Sequence, residues 1–76
     1  MLEEKMRFVR DIEKLLENDK GNNMVDHLQY RVDFQDDHCY DEYIDVIYKN
    51  GCKKTILATG NSNGANLKAI VSEVYR

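Results

Sequence analysis

The sequence predicts an α+β fold of order α-β-β-β-α: a three-stranded antiparallel meander with two helices on one face. Three observations carry that expectation. Apolar residues recur at helical spacing towards both ends of the chain, they alternate with polar residues through the middle, and Asn50-Gly51 interrupts the alternation where a hairpin needs a turn. At 76 residues the expectation is one domain, 1–76. A content of 42% hydrophobic and 33% charged residues is too apolar for a disordered tail and too polar for a membrane span.

From Leu2 to Leu16, the residues Leu2, Met6, Val9, Ile12, Leu15 and Leu16 follow three- and four-residue steps, with charged residues between them, which describes an amphipathic helix. Asn18 to Asn23 brings glycine and asparagine, which tolerate the left-handed backbone that closes a last turn. The period then drops to two. Leu28, Tyr30, Val32 and Phe34 alternate with His27, Gln29, Arg31, Asp33 and Gln35, giving a first strand with one wet face. A second strand is expected from Tyr40 to Tyr48 and a third from Cys52 to Thr59.

Three-residue loops at Asp36-Asp37-His38 and Lys49-Asn50-Gly51, the latter closed by a glycine bulge, set the register. Tyr30 then lies beside Ile44, Leu28 beside Val46, Ile44 beside Ile56 and Tyr48 beside Cys52. The packed face collects Leu28, Tyr30, Val32, Phe34, Tyr40, Ile44, Val46, Tyr48, Cys52, Ile56 and Ala58. Gly60 to Gly64 supplies candidate N-caps for a second helix, in which Leu67, Ile70, Val71 and Val74 recur at helical spacing. Each helix must bury an apolar stripe and the sheet offers one apolar face, so both are expected on that side.

The start Met1-Leu2-Glu3-Glu4-Lys5 has no apolar stretch of signal-peptide length, so a cytoplasmic location is expected. Cys39 and Cys52 are then reduced thiols, and the register keeps them apart. Asp36 to Glu42 concentrates oxygen, nitrogen and sulfur ligands, but their spacing fits neither a calcium loop nor a zinc site. Gly60 to Gly64 lacks the Lys-Ser/Thr of a phosphate-binding loop, and neither histidine has a nucleophile and carboxylate arranged around it. No enzyme, metal or cofactor is expected.

Charge is more informative. Between Asp26 and Asp45 stand Asp26, Asp33, Asp36, Asp37, Asp41, Glu42 and Asp45 against the single cation Arg31; from Lys49 to Lys68 come four lysines and no acid. The net charge of -3 therefore hides a dipolar chain. The register sends Asp33, Asp41, Tyr43, Asp45, Ile47 and Leu57 to the face without helices. With Asp36 and Asp37 at the hairpin tip, these are the candidate partner-binding residues: carboxylates around an apolar anchor of Tyr43, Ile47 and Leu57. Carboxylates two residues apart on one strand face repeat at ~6.8 Å, close to two ~3.4 Å phosphate rises of a DNA strand, so a basic groove built for nucleic acid would accept them. The other readings are a nucleic-acid binder using Lys49, Lys53, Lys54 and Lys68, and a homodimer joined through the open face.

The element order, and the strand, glycine turn, strand, helix rhythm from Tyr43 to Tyr75, is similar to double-stranded RNA-binding domains. That resemblance implies a lysine cluster opening the second helix, where this chain reads Gly64-Ala65-Asn66-Leu67-Lys68 with one cation, so it carries the topology rather than duplex binding. The chain also resembles small proteins of phages and mobile elements, among them type II-A anti-CRISPR inhibitors of Cas9, through Asp45-Val46-Ile47-Tyr48-Lys49-Asn50-Gly51 and Ile56-Leu57-Ala58-Thr59-Gly60-Asn61-Ser62. This second resemblance implies an antagonist that binds a larger protein.

Overall fold

The computed structural model describes residues 2–19, 24–36 and 38–75. Helix α1 (Leu2–Asn18) is followed by strands β1 (Val25–Phe34), β2 (Tyr40–Tyr48) and β3 (Lys53–Leu57) and by helix α2 (Asn63–Val74), in an antiparallel sheet of order β1-β2-β3. The expected α-β-β-β-α order of an α+β fold is the one observed.

The turns hold the register. Tyr48 N donates to Cys52 O over 2.8 Å and Gly51 N to Tyr48 O over 3.0 Å, and Gly51 adopts φ 91°, the left-handed conformation that a three-residue hairpin loop closes with. At the other hairpin Gln35 N donates to Cys39 O over 2.9 Å, joining the ends of β1 and β2. Tyr30 therefore pairs with Ile44, Leu28 with Val46, and Ile44 with Ile56. A bulge between Val25 and His27 ends the regular pairing of β1. Ser62 caps α2, its hydroxyl accepting from Ala65 N at 3.2 Å.

Both helices supply one core. Val9, Ile12 and Leu16 from α1, Val25 and Leu28 from β1, Ile44 and Val46 from β2, Ala58, and Ile70 from α2 are all buried together. The periodicity overstated the apolar stripe of each helix, because Leu15 of α1 and Leu67 and Val71 of α2 are exposed.

The packed face is shorter than the alternation implied. β1 spans ~33 Å, whereas α1 and α2 measure ~25 Å and ~18 Å. The molecule measures 42 × 23 × 18 Å, so the hairpin runs along its long axis. Its tip extends beyond the helices: Phe34 is 70% and Tyr40 39% exposed. Cys52, expected inside, is exposed at the opposite end, where β3 has not yet begun.

Candidate functional site

The inward face of β2 carries one residue that breaks its apolar pattern. Glu42 lies between Tyr40 and Ile44 in the alternation, which turns its side chain towards the helices, and it is 1% exposed. A carboxylate there must be hydrogen-bonded. Lys5 Nζ of α1 donates to Oε1 at 3.0 Å, Tyr30 Oη of β1 also donates to Oε1, and Gly60 N after β3 donates to Oε2 at 3.1 Å. Burial pushes the Glu42 carboxyl up, but the Tyr30 and Gly60 hydrogen bonds and the Lys5 charge outweigh it, leaving a net downward shift. Tyr30 is raised, first by burial and then by its bond to the carboxylate. One side chain thus joins α1, β1, β2 and the turn after β3.

The opposite face is organised by Arg31. Its guanidinium stacks on the Tyr43 ring, 4.6 Å from the centroid, while Nε donates to Asp45 Oδ2 at 3.1 Å and Nη1 to Asp33 Oδ2 at 2.8 Å. Thr55 Oγ1, across from Asp45 on β3, donates to Asp45 Oδ1 at 2.8 Å. Asp45 is consequently 3% exposed, not the free surface carboxylate expected. Burial raises its pKa and the Arg31 and Thr55 bonds lower it by more. The correction has a physical source: on a central strand, long polar neighbours from both sides can cover a side chain that no helix reaches. Asp45 therefore cannot stand in for a phosphate.

The other candidates separate into two groups. Tyr43 and Ile47 are half-buried and Leu57 is 63% exposed on the open face, so the apolar anchor is thinner than expected. Asp33, Asp36 and Asp41 gather towards the β1–β2 hairpin end, and Asp37 lies outside the described residues. Asp36 Oδ1 accepts from His38 N at 2.7 Å and Cys39 N at 2.8 Å, and these backbone bonds hold its carboxyl below the usual range. Asp41 takes its bonds from neutral groups, Gln35 Nε2 at 2.7 Å and Thr59 Oγ1 at 3.3 Å.

Asp33 and Asp41 are also direct cross-strand partners. Like charges in that position destabilise a hairpin. The lysines expected for the nucleic-acid alternative, Lys49, Lys53, Lys54 and Lys68, are all exposed, and the first three lie at the other hairpin. Among the described residues no group of three His, Cys, Asp or Glu side chains converges to hold a metal ion, and no helix is long and apolar enough to cross a membrane. Cys39 and Cys52 are free and exposed. Family models, curated proteins and solved structures were compared with the chain, and none matches it.

Four residues that matter here were missed as site residues. Arg31 was counted only as a lone cation, although its cross-strand partner is Tyr43. Glu42 was counted as surface acid, although the alternation already turned it inward. Phe34 and Tyr40 were assigned to the core, and comparing strand length with helix length would have left them uncovered.

Proposed function

We propose that the protein is a non-enzymatic binding module that offers its acidic β1–β2 hairpin end to a basic groove on a larger, nucleic-acid-binding protein. The observation that carries this reading is the Asp33–Asp41 pair. Two carboxylates directly opposite each other cost stability, and a cation from outside would relieve that cost. Its surroundings support the same conclusion, since Asp36 adds an exposed carboxylate to the exposed Asp33 and half-buried Asp41, and Arg31 divides its charge between Asp33 and the buried Asp45. The resemblance to phage and mobile-element antagonists is consistent with this role, as is a cytoplasmic location.

The test is the double variant Asp33→Asn with Asp41→Asn, which removes charge while keeping shape. Folding stability is expected to stay level or rise by up to ~1 kcal/mol. Salt-sensitive capture of basic proteins from a cell lysate is expected to be lost, while Lys53→Glu with Lys54→Glu retains it. Tight binding of duplex RNA, abolished only by the lysine variant, would reverse the assignment. A dimer that the lysine and aspartate variants leave intact would transfer the open face to self-association.

A further inference from the structure

We infer that a second copy of this chain pairs with the free margin of β1, antiparallel and centred on Val32, so that the two three-stranded sheets become one continuous sheet. This goes beyond the reading of the hairpin end and does not rest on it. β1 is an edge strand. Gln35 and Cys39 form a hydrogen-bonded pair and Leu28 N turns away from β2 to donate to Glu13, so the even-numbered residues from Leu28 to Phe34 direct their backbone groups outward. Glu13 takes the amide of Leu28, but among the described residues nothing takes those of Tyr30, Val32 and Phe34. A margin of this kind is a template for another strand.

The sequence of the margin names its occupant. Tyr30-Arg31-Val32-Asp33-Phe34 is complementary to itself when reversed. With Val32 opposite Val32 of the second copy, Tyr30 of each chain faces Phe34 of the other on the helix side, and Arg31 faces Asp33 on the open side. The even-numbered pairs exchange backbone hydrogen bonds, and the Arg31–Asp33 pairs fall at the intervening positions, where side chains lie closest. Asp33 keeps its bond to Arg31 of its own chain and gains a second guanidinium on the side away from Asp41, which offsets the repulsion between Asp33 and Asp41.

Shape agrees with this register. Glu13 of α1 reaches Leu28, and Lys5 reaches Glu42, the cross-strand partner of Val32, so α1 follows β1 as far as Val32 and leaves the strand beyond it uncovered. A two-fold axis at Val32 therefore sets the two α1 helices at opposite ends of the paired strands, each beside the other chain's uncovered hairpin. Phe34, 70% exposed in the single chain, then meets the cleft of about 290 Å³ that Met6, Val9, Leu28 and Tyr30 line between α1 and β1 of the second copy. Because each copy offers the same margin to the other, the pairing closes as a dimer.

Sedimentation velocity of the full chain is expected to show a dimer that dissociates at ~10–100 µM, as suits an interface at the small end of the range. Amide hydrogen exchange across the same concentrations locates the contact: protection at Tyr30, Val32 and Phe34 should rise with concentration, while protection at Leu28 stays level. Asp33→Lys sets like charges opposite each other in both outward pairs and should weaken the dimer about tenfold. Phe34→Ser, at an exposed position where the single chain loses little, should also weaken it, and Leu57→Ala on the open face should leave it unchanged. A chain that stays monomeric far above that range would overturn the proposal. A dimer in which Tyr30, Val32 and Phe34 gain no protection, or one that Leu57→Ala dissociates and Asp33→Lys does not, would place the contact on another surface and equally overturn it.

Discussion

Replacing Glu42 by alanine should be the most damaging single change to this fold outside its apolar core. The substitution strips the acceptor from Tyr30 Oη and from Gly60 N, two part-buried bonds whose loss costs ~1–3 kcal/mol each. Lys5, with 21% of its side chain exposed, can return to water and contributes little to the loss. The two losses sum to ~2–6 kcal/mol. A chain of 76 residues at ~0.05–0.15 kcal/mol per residue has only ~4–11 kcal/mol in total. Equilibrium urea denaturation should therefore show a midpoint lowered by on the order of 2–3 M at the slope of a small domain. Glu42→Gln keeps an acceptor for Tyr30 and Gly60 but loses the attraction to Lys5, and should cost ~1–2 kcal/mol. A loss below ~1 kcal/mol for alanine, or equal losses for alanine and glutamine, would refute the view that this carboxylate unites the two layers.

Two other outcomes test the interior. Glu42 and Asp45 both have folded-state pKa values below their unfolded ones, near ~4.3 and ~3.9, so the stability they add is fully present above those values and is lost as pH falls through the folded ones. Tyr30, raised when folded, acts at the other end: its contribution is complete below ~10 and is lost as pH rises through the folded value, and thermal melts across pH should show both arms. Asn66 of α2 is 1% exposed and, among the described residues, neither side-chain amide atom has a hydrogen-bond partner, so Asn66→Leu, with the same branching but bulkier methyl groups, should stabilise by up to ~1–2 kcal/mol in the same denaturation assay; a loss of stability in both Asn66→Leu and Asn66→Ala would show that the amide has a role.

Strand alternation and turn chemistry were sufficient to read the sheet. Asn50-Gly51 and the loop at 36–38 each admit a small number of closures, and one choice of loop length propagated correctly along every pair from Leu28–Val46 to Ile44–Ile56. The inward position of Glu42 was legible by the same logic. The cover over Asp45 was not, because it depends on where the Arg31 side chain lies, and a period of two says only which face a residue takes. Similarly, the three-residue steps in α1 admitted Leu15 and Leu16 alike. Only the crossing of α1 over β1 decides that Leu16 is inside and Leu15 outside.

The carboxylate of Glu13 in α1 accepts from Leu28 N of β1 at 2.8 Å. Leu28 stands at a non-hydrogen-bonded position opposite Val46, so that amide points away from β2, towards what would otherwise be an open margin of the sheet. The bulge after Val25 bends the same margin. On the far side β3 is five residues long and begins with Lys53-Lys54, so an incoming strand would meet two ammonium groups before it had formed more than a few bonds. The two margins therefore resist polymerisation by different means: one is occupied at Leu28 by a side chain, while the other is short and charged. Neutralising Lys53 and Lys54 would open the second to strand addition from another chain, whereas the first would stay shut at Leu28 for as long as α1 remains docked.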